Sequence, residues 1–129
     1  MIQQDVLCQQ LASILDGKAS FENGICSVTK PRNIQVTILG RPSKSSINLS
    51  YAFESFDQNG TALCLSELAV LQNEINPVCS ILTKHNIPIS ALHNHWIYTN
   101  PTILYLHSES IDYPIQFASK MREISRMLM

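Results

Sequence analysis

The chain has 129 residues, a length that suits one domain burying roughly two thirds of its unfolded surface around one core. Hydrophobic residues make up 45% and charged residues 15%, with a formal net charge of -1, which excludes a disordered chain and a broad cationic grip on nucleic acid. No stretch approaches the roughly 20 apolar residues that cross a bilayer, and the N-terminus lacks the basic leader and apolar core of a secretory signal. A soluble, cytoplasmic protein with neither nucleic-acid nor membrane partners is therefore expected.

In "MIQQDVLCQQLASILDG", Ile2, Val6, Leu7, Leu11, Ile14 and Leu15 recur at helical spacing, and "DGKASFENG" ends that helix with two glycines. Three runs of alternating apolar and polar residues follow: "ICSVTKP", "NIQVTILG" and "INLSYAFESF". Ile34, Val36 and Ile38 share one face of the second, and Ile47, Leu49, Tyr51 and Phe53 one face of the third, as one-sided burial in an antiparallel sheet demands. "GRPSKSS" is a polar connection and "DQNGT" a turn, after which "ALCLSELAVL" reads as a more apolar fourth strand.

The next helix falls between Gln72 and Lys84 and buries Ile75, Val78, Ile81 and Leu82, with Asn76 as a cap ahead of Pro77. "KHNIP" ends it, because Pro88 cannot continue a helix. "IPISALHNHW" and "TILYLHS" form two more strands around "IYTNP". The closing "YPIQFASKMREISRMLM" is an amphipathic helix with Ile115, Ala118, Met121, Ile124, Ser125 and Leu128 inward. The expected fold is α+β, a mainly antiparallel sheet of about six strands with helices packed on it, in the order α-β-β-β-β-α-β-β-α, forming a single domain over residues 1–129.

Cys8, Cys26, Cys64 and Cys79 form no CxxC pair and each has apolar neighbours. They read as small buried hydrophobes in a reducing compartment, not as a disulfide framework or a zinc finger.

Chemistry concentrates in "SALHNHW" and "ILYLHSE". Successive strand residues alternate faces, so His93 and His95 project to one side and Asn94 to the other. If the two strands pair antiparallel with His93 opposite Tyr105, His107 falls opposite Ala91 on the same face, and three imidazoles converge. A one-residue slip would turn His107 away. Three histidines can hold a divalent transition metal such as zinc with a position left for water. Glu74 is the candidate fourth ligand or general base. The competing reading is a set of hydrogen-bonded polar histidines with no ion. The literal run "HNH" is not the nuclease motif of that name, whose residues are spread over a ββα unit.

Other candidates have both a functional and a structural reading. Arg32 after Pro31 can grip an anionic ligand through a bidentate fork, or be a solvated edge residue. Asn76 can contact a ligand or cap the helix, and Tyr105 can orient an imidazole or pack across the strand pair. Trp96, Ile97 and Tyr98 at the hairpin tip suit a pocket wall or a subunit contact.

The run "SELAVLQNEINPVCSILTKHNIPISALHNHW", followed by "PTILYLH" and preceded by "KPRNIQVTILG", resembles the core signature of the LppY/LpqO family of bacterial proteins. The likeness extends from about Gly24 to the C-terminal helix. It marks Pro31, Arg32, Glu74, Asn76, Pro77, His93, Asn94, His95, Pro101 and His107 as family positions of uncharacterised role. Some members resemble secreted lipoproteins carrying two copies of the unit, which implies a homodimer where one copy stands alone. The sequence departs from the pattern at Ser66, where glycine is usual, at Leu71, where threonine would complete a capping box with Glu74, and in the less glycine-rich "HSESIDYP".

Two functions follow as expectations. One is a small-ligand or metal-binding domain, extending to a metal-dependent hydrolase or lyase, with His93, His95 and His107 on the ion, Glu74 assisting, and Arg32, Asn76, Asn94 and Tyr105 contacting a small molecule. The other is a non-catalytic dimerising or interaction module whose histidines form a structural hydrogen-bond network.

Overall fold

The computed structural model describes residues 3–129, so Ile2 lies outside the described part of the first helix. That helix, α1 (Gln4–Leu15), buries Cys8, Leu11, Ala12 and Leu15, one stripe at helical spacing. It stops at Asp16, which takes the left-handed conformation, and Gly17. A Cβ on Gly17 would lie 2.7 Å from Val28 Cγ1 and 3.0 Å from the Thr29 carbonyl oxygen, so glycine lets the chain pass close against the strand beyond.

Nine strands follow: β1 (Lys18–Glu22), β2 (Ile25–Pro31), β3 (Val36–Ile38), β4 (Arg41–Ser43), β5 (Asn48–Glu54), β6 (Ala62–Leu71), β7 (Ile89–His93), β8 (Thr99–Asn100) and β9 (Ile103–Asp112). α2 (Ile75–Lys84) stands between β6 and β7, and α3 (Pro114–Met127) closes the chain. Six strands form one antiparallel sheet in the order β1-β2-β5-β6-β9-β7, and β4-β3-β8 form a smaller one. The α+β class and the order of the principal elements are those expected, with short strands added.

The additions have local causes. β1 occupies the stretch read from sequence as a connection, because Asn23 and Gly24 (φ 54° and 76°) make the two-residue turn that folds it back onto β2. "NIQVTILG" does not join the large sheet. Its β3 pairs instead with β4 and β8, and Val36 packs with Ile47, Ala69, Ile103 and Tyr105 in a second apolar cluster, against which Ile34 also rests.

The helices cover one face of the six-stranded sheet. Along β6, Ala62, Cys64, Ser66, Leu68 and Val70 are buried, while Leu63, Leu65 and Glu67 between them are more exposed. Leu68, Val28, Leu49, Phe53 and Leu106 meet Leu11, Leu15, Val78, Leu82, Phe117 and Met121 from the helices in the main core. The Ser66 and Ser108 hydroxyls hydrogen-bond to each other within that buried layer, so each polar group meets a partner there. On α3 the inward stripe is Pro114, Phe117, Ala118, Met121, Ile124 and Ser125. Ile115, expected inside, is 43% exposed, because it lies about 100° around the helix from Pro114, off the edge of the stripe.

The cysteine expectation is corrected. Cys8 on α1 and Cys26 on β2 form a disulfide with Cα atoms 5.5 Å apart, whereas Cys64 and Cys79 are free thiols. The pairing was hidden because it depends on α1 lying across β2, a contact between elements that spacing does not encode. Among the described residues no helix is long and apolar enough to cross a membrane.

Candidate metal centre

β7 pairs antiparallel with β9, placing His93 opposite Tyr105 and Ala91 opposite His107. This is the register that brings the imidazoles to one side. A bulge between Ile89 and Ala91 shifts the pairing just upstream of the histidines, so the register that aims them is set after the irregularity. His95 lies just beyond the end of β7, in the loop that leads to the hairpin tip.

One ligand-capable nitrogen from each of His93, His95 and His107 lies within 4.8 Å of the others. The Nε2 atoms of His93 and His107 are 3.0 Å apart, with their rings stacked at 4.8 Å between centroids. His95 meets His93 edge-on at 4.4 Å and Tyr105 at 4.6 Å. Two donors about 2.0–2.1 Å from one ion stand about 2.8–3.4 Å apart for octahedral to tetrahedral angles. The His93–His107 spacing meets that requirement, and exposed His95 has room to rotate onto the same point.

Sequence reasoning missed one neighbour. Glu67 on β6 is opposite His107 on β9, with its Oε2 3.3 Å from His107 Nε2. Its signal was a lone carboxylate in the apolar run "LSELAVL", at a position that alternation turns away from the helices.

The remaining candidates go elsewhere. Arg32, 5% exposed, forks onto Glu74 through Nη1–Oε1 and Nη2–Oε2 hydrogen bonds of 2.7 Å each. Its Nε also donates to the Leu128 carbonyl at 2.9 Å and its Nη1 to that of Ala69 at 3.0 Å. The fork expected on an anionic ligand thus closes on a residue of the same chain. Glu74 Oε1 additionally accepts from the Leu71 amide at 2.7 Å, so both carboxylate oxygens are engaged away from the histidines. That contact is half of a capping box, the half that survives with leucine at position 71.

Asn76 does not cap the helix. α2 begins one residue earlier, after a single 3-10 turn over Gln72–Glu74, and Asn76 is exposed inside its first turn. Pro77 fits there because first-turn amides need no intrahelical acceptor. Asn94 Oδ1 accepts from the Trp96 amide at 3.0 Å, a turn-forming contact. The Tyr105 hydroxyl donates to the Ser46 carbonyl at 2.6 Å, and burial pushes this phenol above its ordinary pKa, leaving its ring to face His95. His85 is at the end of α2 and pairs with Glu123 at 3.0 Å, outside the cluster. A cleft of about 850 Å³ walled by Leu7, Phe21, Phe56, Tyr113 and Pro114 shares no residue with the histidines.

The fold and site together define an antiparallel α+β domain with a histidine cluster on the sheet face turned away from its helices. Residues 9–127 match the family described as Domain of Unknown Function (DUF1259), and the chain belongs to that uncharacterised domain family. No curated protein and no solved structure matches the chain.

Proposed function

We propose that His93, His95 and His107 bind a divalent transition metal, zinc being the reference case, and that the domain acts on or binds a small molecule there. The observation that carries this reading is the convergence of three imidazole nitrogens within 4.8 Å on a solvent-accessible face. An ion so held supplies Lewis acidity and activates water, the chemistry of a hydrolase or lyase. Arg32, Glu74, Asn76 and Asn94 support the scaffold in this reading, and Tyr105 braces His95. We place the chain with the LppY/LpqO proteins on the "EINPV" and "ALHNH" runs. The Cys8–Cys26 bond favours residence in an oxidising compartment over the cytoplasm expected above.

A second reading, a dimerising module with a structural histidine network, is favoured by the direct His93–His107 contact and by the apolar tip beside it. Leu39, Ile97 and Tyr98 are 77%, 81% and 71% exposed, and the Leu39 amide donates to the Tyr98 carbonyl at 2.9 Å, tying two loops into one patch. A homodimer contact would cover it.

Elemental analysis of the purified protein decides between them. Metal near one equivalent per chain, lost in both His93→Ala and His107→Ala, is the expected result. Wild-type protein that stays metal-free after exposure to zinc overturns the metal reading, and dimer dissociation by Ile97→Asp with no metal in any variant supports the second.

A further inference from the structure

We propose that the Glu67 carboxylate is the fourth protein ligand of the histidine site, giving a three-histidine, one-carboxylate centre. The inference rests on the metal reading of the histidines and adds a donor from a different strand.

The first support is distance. Glu67 Oε2 stands 3.3 Å from His107 Nε2, and His93 Nε2 stands 3.0 Å from that same nitrogen. Both spacings fall within the about 2.8–3.4 Å range for neighbouring ligands of one ion.

The second is proton accounting. A neutral imidazole nitrogen either carries a proton or offers a lone pair, never both. If His93 donates to His107 Nε2, that lone pair also faces the Glu67 oxygen, and two electron-rich atoms oppose each other. If His107 Nε2 carries the proton, two acceptors compete for one N–H. A cation among the three atoms is attractive to all of them at once.

The third is rigidity. Glu67 is carried by β6, which pairs on one side with β5 and on the other with β9 along its length, so its backbone position is held from both sides. The cluster's other members hang on the edge strand β7, the loop after it, and β9. A ligand on the inner strand would join that edge ribbon to the body of the sheet.

The carboxylate has a chemical consequence. It lowers the charge of a bound divalent centre by one and mixes a hard oxygen with three imidazoles; six-coordinate manganese, iron or nickel would keep positions for water or an oxygen-bearing substrate, whereas zinc would keep one only by expanding beyond four ligands.

The test is titration of the chelator-stripped full chain with cobalt(II), followed by the visible ligand-field bands, for wild type, Glu67→Gln and Glu109→Gln. Circular dichroism checks that each variant is folded. Glu67→Gln is expected to bind at least about 10–100-fold more weakly, the loss that removal of an outer-shell partner alone brings, and to show altered bands, the signature of a lost ligand, while Glu109→Gln matches wild type. Glu67→Gln with wild-type bands, whatever its affinity, overturns the proposal and leaves the histidine reading standing. Wild type with no cobalt bands overturns both.

Discussion

Arg32 and Glu74 grip each other through two parallel 2.7 Å hydrogen bonds, with the arginine side chain 2% and the glutamate side chain 20% exposed. Forty-two positions apart in sequence, they join the end of β2 to the turn before α2, and the Arg32 bond to the Leu128 carbonyl ties in the C-terminus of α3. Removing one partner leaves the other charge buried without compensation. Arg32→Ala and Glu74→Ala are each expected to lose about 3–5 kcal/mol of unfolding free energy. Arg32→Lys should recover little of that, because an ammonium cannot reproduce the fork. Urea denaturation measures all three. A loss below about 1 kcal/mol for Arg32→Ala would make the pair incidental.

The disulfide makes a separate prediction. Cys8 and Cys26 are 18 residues apart, and a cross-link closing a loop of that size stabilises by about 3 kcal/mol, chiefly by restricting the unfolded chain. Protein treated with reductant, or the Cys8→Ala/Cys26→Ala double variant, should unfold at correspondingly lower urea. Intact-mass analysis after alkylation without reductant should find only two modifiable thiols in the unfolded chain. Four would show that the bond does not form.

The two free thiols should differ in reactivity. Burial, helped by the Asp112 charge, pushes the Cys64 thiol up to about 12, so almost none is thiolate at pH 8. Cys79 is partly exposed on α2. Iodoacetamide on the folded protein at pH 8 is expected to label Cys79 and spare Cys64, which becomes reactive only on unfolding. Peptide mapping reads the sites, and equal labelling rates would contradict this account.

Much of the site was legible because one rule of backbone geometry generates it. Antiparallel pairing with His93 against Tyr105 brings His107 to the same side, whereas the strand expected to run through Trp96 ends at His93, so His95 joins them from the loop and not by alternation. Glu67 was not legible as a neighbour, since its nearness depends on β6 lying beside β9, with α2 and two further strands between them in sequence. Glu74 looked like the acidic partner because it begins a helix close by in sequence, yet tertiary packing gives it to Arg32. Asn76 and Asn94 have the residue type of ligands, and the structure shows local turn and helix positions that account for them.

What the sequence alone determined about this protein is periodic: the apolar stripe of each helix and the apolar face of each strand. These follow from covalent geometry repeating every 3.6 or 2 residues, so they can be read over a short window. The tertiary structure alone decided that α1 reaches β2 to join Cys8 to Cys26, that β3 leaves the large sheet, and that Glu67 meets His107. Such neighbours are chosen by the packing free energy of the whole core, a sum over residues far apart in the chain, and no local window contains it.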